Sequence, residues 1–226
     1  MYKNITYIFS LAALIFALAS CVKNDPAVVV NDPVNVNVIN GSDQVLNFYL
    51  NGTRQNSVTG IFPLGANGYT QIPEGNQLLT FRKQFNTTKF TDADTLFTLP
   101  VRLDSVGPTV RYSIFTAGTT RNRSFIILDT LQSDAKNAKL RFVVASPDVT
   151  GLRVYLNDTL RFTSSVFKSV STFNPMGNGQ KIIKIRPAIG DNVLYTSTVT
   201  LNAGISYTLF SAGSGTNFRA GLVLNQ

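Results

Sequence analysis

The chain reads as an all-β protein, built as two tandem immunoglobulin-like antiparallel β-sandwiches behind an N-terminal targeting segment. Three observations predict this. Short apolar–polar alternations recur along the chain, turn-forming residues break them at short intervals, and the pattern of the first half returns about 100 residues later. No sustained helical period follows residue 21.

The elements follow in chain order. Lys3 supplies a short positive start, and an apolar run extends from Tyr7 to Ala19. A bilayer span needs about 20 apolar residues. The shorter run suits the core of a secretory signal peptide. It ends in Leu18-Ala19-Ser20-Cys21, which resembles the lipobox of bacterial lipoproteins. That resemblance implies a diacylglyceryl group on the Cys21 thiol, cleavage just before it, and loss of residues 1–20. Cleavage there would take 20 of the 226 residues and leave 206. Several acyl chains give stable anchoring, each buried CH₂ contributing about 0.8 kcal/mol. Cys21 is the only cysteine, so a lipidated sulfur leaves none to mispair in an oxidising compartment. Val22 stands where an Asp would signal inner-membrane retention, so the expected address is the outer membrane. Lys23-Asn24-Asp25 partly resembles a surface-export signal, and surface exposure stays open.

Residues 21–33 carry two Asp-Pro steps and no amphipathic period. Proline removes a backbone donor and restricts the residue before it, and the segment reads as a membrane tether. Strands begin at Val34-Asn35-Val36-Asn37-Val38. Leu46, Phe48 and Leu50 alternate with Asn47, Tyr49 and Asn51. Val110–Ile114 and Tyr207–Phe210 alternate likewise. Period two with one apolar face predicts half-buried antiparallel strands. Asn40-Gly41-Ser42-Asp43, Asn51-Gly52, Gly75-Asn76, Gly107-Pro108, Ser146-Pro147-Asp148 and Asn202-Ala203-Gly204 supply the turns.

The halves repeat. VINGSD at 38–43 matches VVASPD at 143–148, and LNFYLNGT at 46–53 matches LRVYLNDT at 152–159. LLTFR at 78–82 matches IIKIR at 182–186, and YSIFTAG at 112–118 matches YTLFSAG at 207–213. The offsets are 105, 106, 104 and 95 residues, always in the same order. A period of that size is a whole domain. The first copy divides into seven strands, near 34–40, 45–51, 68–72, 77–84, 94–103, 109–117 and 123–130. Seven strands in about 100 residues suit an immunoglobulin-like sandwich. The expected domains are 34–131 and 138–226, with polar residues 132–137 between them.

The second copy, with Phe142–Asp148, Val154-Tyr155-Leu156-Asn157-Asp158, Leu201-Asn202-Ala203-Gly204 and Tyr207-Thr208-Leu209, resembles domain of unknown function 4397. This family occurs in bacterial secreted and surface proteins. The first copy resembles it more loosely, with Gly41-Ser42-Asp43 in place of Ser-Pro-Asp. The resemblance implies a β-sandwich and a cell-envelope role, and it brings no catalytic residues.

Composition narrows the chemistry. The net charge is +8, yet charged residues are only 14% of the chain and the basic ones are scattered. That argues against nucleic acid and leaves glycans, lipid headgroups or envelope proteins as partners. With no histidine, Ser-His-Asp catalysis and His-ligated metals are excluded. Twelve carboxylates remain, Glu74 being the only Glu. Asp92 and Asp94 are the closest pair, and they read as loop residues or as the start of a calcium site. No cofactor and no catalytic residue is expected. Tyr49 and Tyr155 occupy matching positions pointing away from the apolar faces. They read either as a ligand-facing aromatic platform or as cover for an outer sheet face. Arg82/Arg186 and Arg123/Arg219 also recur, as a basic patch or as charges that protect exposed strands. Asp94-Thr95-Leu96, Asp129-Thr130-Leu131 and Asp158-Thr159-Leu160 resemble an acceptor for envelope O-glycosylation, which would place sugar on Thr95, Thr130 and Thr159. The expected function is a non-catalytic binding, adhesion or scaffolding module anchored to the envelope. The alternative is a carboxylate-dependent carbohydrate-active hydrolase or its accessory domain.

Overall fold

Val34, Val36 and Val38 turn one way from the first strand, and Ile39 turns the other way; all four are buried. This double burial organises the molecule. The computed structural model describes residues 32–84, 94–105, 107, 110–132 and 134–225. The predicted signal peptide, Cys21 and most of the tether lie outside these residues, as does Asp92.

The first half contains β1 (Val34–Asn40), β2 (Leu46–Leu50), β3 (Thr53–Arg54), β4 (Ala66–Ile72), β5 (Gly75–Lys83), β6 (Thr95–Leu103), β7 (Val110–Thr116) and β8 (Ser124–Thr130). The second contains β9 (Ala138–Val144), β10 (Leu152–Leu156), β11 (Thr159–Ser164), β12 (Asn174–Met176), β13 (Gly179–Pro187), β14 (Tyr195–Leu201), β15 (Ser206–Ala212) and β16 (Arg219–Asn225). In the first half, β4-β1-β7-β8 forms one sheet and β3-β2-β5-β6 the other. In the second, the orders are β12-β9-β15-β16 and β11-β10-β13-β14. The two halves thus share one strand order, and each is a β-sandwich whose sheets enclose an apolar core. Among the described residues no sheet mixes strands from both.

Three features of the sandwich were not legible as alternation. β1 runs parallel to β7, and β9 parallel to β15, so one sheet in each half is mixed. β3 is only two residues long; it closes a hairpin in which Asn51 and Gly52 both take positive φ, as a two-residue I′ turn requires. Finally, the repeat slips by one residue at its start. Val36 stands beside Tyr112 and Leu140 beside Tyr207, which puts β9 104 residues after β1 instead of 105. A one-residue slip exchanges the faces of a strand. Val143 therefore corresponds to Ile39, and both point out of their own sandwich.

Tyr112 and Tyr207 tie the corresponding corners. The Tyr112 hydroxyl accepts from the Asp104 N–H (3.0 Å) and donates to the Asp104 carbonyl (3.0 Å). The Tyr207 hydroxyl accepts from the Asn202 N–H at 3.0 Å. Such a tyrosine, bonded to backbone a few residues upstream, is an immunoglobulin-type corner.

The β1–β7 and β9–β15 sheets pack on each other. Ile39, Phe115, Ala117 and Ile127 meet Val143, Ala145, Phe210, Ala212 and Val223 in a third core. Asn37, Ser113, Asp129, Arg141, Thr208 and Asn225 lie in the same inner layer and are buried. Alternation assigned such polar positions to solvent, and here a second sandwich replaces the solvent.

Candidate functional site

At the end of the inner layer where β1, β7, β9 and β15 terminate, the loops of both halves converge on a cleft of about 690 Å³. Asn40 shapes one wall. Its Oδ1 accepts from the Ser42 N–H (2.9 Å) and the Ser42 hydroxyl (2.7 Å). Its Nδ2 donates to the carbonyls of Gln44 (2.7 Å) and Ile61 (2.8 Å). The Asn40-Gly41-Ser42-Asp43 turn is therefore fixed by one buried amide, and Asp43 is held at the rim, exposed.

The second wall comes from the repeated Ala-Gly motif. Ala117-Gly118-Thr119 and Ala212-Gly213-Ser214 end β7 and β15 at equivalent places. A Cβ at Gly118 would lie 2.8 Å from Arg123 Cδ, so glycine lets the arginine stem lie across the turn. Gly213 has φ +70°, and a Cβ there would meet the Asn217 carbonyl oxygen at 2.1 Å. Glycine is thus demanded at Gly213 by close approach to backbone, whereas at Gly118 a side chain would displace the arginine stem.

Arg123, just before β8, and Arg219, the first residue of β16, stand at matching positions and bring two arginines to the cleft. Arg219 Nε is buried without a hydrogen-bond partner. Phe218 adds an aromatic surface, Thr119, Ser214, Thr216 and Asn217 add polar groups, and Asp43 is the only carboxylate among the lining residues. Guanidinium forks match carboxylates and phosphates bidentately. The lining suits a polar ligand with anionic groups, and it lacks the second carboxylate that glycoside hydrolysis uses. The sequence exposed the Arg123/Arg219 repeat, but the pairing of sandwiches that brings the two together was not readable from it.

The other sequence candidates sit elsewhere. Tyr49 lies on the outer sheet of the first sandwich with only 7% exposure, its ring 4.9 Å from the Arg82 guanidinium. Tyr155 occupies the matching place on the outer sheet of the second, 5.4 Å from the Arg186 guanidinium. The two inner sheets separate these outer sheets. The tyrosines therefore form no shared platform, and Tyr49 offers no open face. Tyr49 is cover for its sheet and Tyr155 is half-buried, each with an arginine stacked on it.

Thr159 is exposed beside the β10–β11 turn, Thr130 is exposed at the end of β8, and Thr95 is half-buried opposite Arg82. Asp129, the acid of its tripeptide, is fully buried. Asp158 accepts a hydrogen bond from Lys184 Nζ at 2.6 Å, and the ammonium holds its carboxyl below the usual range. Among the described residues no three His, Cys, Asp or Glu side chains gather as metal ligands, and no helix is long and apolar enough to cross a membrane.

No curated protein matches the chain. Residues 138–226, the second sandwich, match the family model of a domain of unknown function, DUF4397.

Proposed function

We propose that this protein is a non-catalytic binding module of the bacterial cell envelope, lipidated at Cys21 and held in the outer membrane. The cleft between the halves is its ligand site. One observation carries this reading: equivalent loops of both sandwiches build a single polar cavity holding two arginines and one carboxylate. Neither half supplies that cavity alone. Its position also suits a tethered protein. The chain enters β1 from Asp32, and the cleft lies beyond the other end of that strand, about 20 Å away at about 3.3 Å per residue. Binding loops held on a rigid sheet scaffold are a common arrangement.

The ligand class that fits is an acidic glycan or another polyanionic envelope component. Screening of the full chain in detergent against neutral and acidic glycans is the test. Binding to acidic glycans, lost in Arg123→Ala and Arg219→Ala, is the expected result. Turnover of a polysaccharide or ester, abolished by Asp43→Asn, would overturn the binding reading and restore the hydrolase alternative. For the anchor, Cys21→Ser or globomycin should leave unprocessed precursor, and unchanged processing would refute lipidation.

A further inference from the structure

A second cavity, of about 430 Å³, runs along the outer edge of β8 and is bounded by Val170–Phe173 of the second sandwich. We propose that this groove binds an extended acidic peptide, which adds to β8 as a further strand. β8 is the last strand of its sheet. Among the described residues, Phe125–Thr130 make no backbone hydrogen bond outside the ladder with β7. The strand has no proline, and its one charge, Asp129, is turned inward and fully buried. Ile126 and Leu128 are 36% and 52% exposed. Natural edge strands are blunted by outward or inward charge, proline or cover. This one has no outward charge and no proline, and its inward Asp129 is neutralised by Arg141. Cover reaches it only at Phe125, whose ring meets Phe167 edge-on with centroids 5.8 Å apart.

The corresponding edge in the other half is closed. β16 meets β4, where Asn225 Nδ2 donates to the Tyr69 hydroxyl at 3.1 Å. A Cβ on Gly221 would also stand 3.0 Å from the Leu64 carbonyl oxygen. β4 has seven residues with which to cover its neighbour, whereas β12 has three. The shortened strand leaves the groove beside β8 open.

The groove selects for acid. Arg141 lines it while only 2% exposed. Its Nη1 pairs with Asp129 and its Nε donates to Thr208 Oγ1. Its Nη2 has no partner, and buried guanidinium hydrogens without acceptors are costly. Lys139 adds a cation beyond the Arg141–Asp129 pair. A peptide carboxylate would pair with Lys139 and, once the Phe173 ring that lies 4.5 Å over the guanidinium moves aside, with Arg141 Nη2. Its backbone would take up the β8 ladder, and its apolar side chains would cover Leu128 and Val170. Backbone pairing supplies affinity and side-chain pockets supply specificity in such strand addition.

The test is selection from a random dodecapeptide library displayed on phage, against the full chain in detergent. Enrichment of peptides that alternate apolar and acidic residues is expected. Binding of the selected peptide should fall at least tenfold in Lys139→Glu and in Leu128→Glu, and remain in Arg123→Ala, which touches only the other cleft. Backbone amide shifts on adding the peptide should map to Phe125–Thr130 and Val170–Phe173 whether or not those variants fold. Failure to enrich acidic sequences, or shifts elsewhere, would overturn the proposal. Binding of an acidic glycan here in place of peptide would overturn it too, while leaving the loop cleft untouched.

Discussion

Arg141 on β9 places Nη1 2.5 Å from Asp129 Oδ1 on β8, and the two side chains are 3% and 0% exposed. The pair joins the sandwiches through positions that correspond in the repeat. Arg141 matches Asn37, Thr208 matches Ser113, and Asn225 matches Asp129. In the first half the Ser113 hydroxyl donates to Asp129 Oδ2, and in the second the Thr208 hydroxyl donates to Asn225 Oδ1. The Tyr69 hydroxyl links the two sets, donating to Asp129 and accepting from Asn225. One half carries the acid and the other the base, which favours this pairing of unlike halves over either half pairing with itself.

Removing one charge should therefore be severe. Arg141→Met leaves Asp129 buried and unpaired, as Asp129→Leu leaves Arg141, and each should cost about 3–5 kcal/mol. The double variant Arg141→Met/Asp129→Leu should recover much of that loss, because an apolar replacement strands no charge. Urea unfolding of the four proteins measures the coupling; additive losses would refute it.

Tyr69 gives an alkaline signature. Burial first, and the Asp129 carboxylate second, push its phenol up to about 12. A pKa higher in the folded than in the unfolded chain favours the protonated form on folding. That contribution is intact below the unfolded value near 10 and is lost as pH rises through about 12. Phenolate absorbance should show a late-titrating component that Tyr69→Phe removes.

Asp158 gives a small acid signature of opposite sign. Its hydrogen bond from Lys184 lowers its pKa below 3.8. The stabilisation is present above the unfolded value and is lost as pH falls through the lowered one. The carboxyl is exposed, so the effect on stability is slight. Carbon-detected NMR titration should find Asp158 below the ordinary range, and Lys184→Met should return it there.

The sequence carried the strands further than their surroundings. Seven of eight strands in the first half fell within a few residues of their observed limits, because alternation and Asn-Gly-type turns are local signals. Strand direction is not local, so the parallel β1–β7 pair escaped. So did burial on the second face. Asn37 is fully buried with both amide atoms unpaired, though it alternates with valines like any solvent-facing residue. The cleft escaped for the same reason, since Arg123 and Arg219 are 96 residues apart and meet only where two sandwiches dock.

Close packing at that docking surface should punish one methyl group. A Cβ on Gly221 would lie 2.6 Å from the Phe210 ring. Gly221→Ala should then cost about 1–3 kcal/mol by overpacking. Gly177→Ala is the control, because the nearest atom to its added Cβ is Lys181 Nζ at 4.0 Å. Thermal unfolding of both variants distinguishes a local clash from a general loss of glycine.

The docked sandwiches should unfold as one. Every residue of β15 is buried, and Phe210 stacks edge-on against Phe115 of the first half with centroids 5.7 Å apart. Separating the halves would expose Ile39, Phe115, Val143 and Phe210 together and would also strand the Arg141–Asp129 pair in whichever half retained cover. An intermediate with one half melted therefore loses both apolar burial and charge compensation. A single calorimetric transition is expected, with calorimetric and van't Hoff enthalpies equal. Phe210→Ala removes the central ring at a cost of about 3–5 kcal/mol, and should weaken the coupling enough to split the transition. Two transitions in the unaltered protein would show that the shared core does not bind the halves into one cooperative unit.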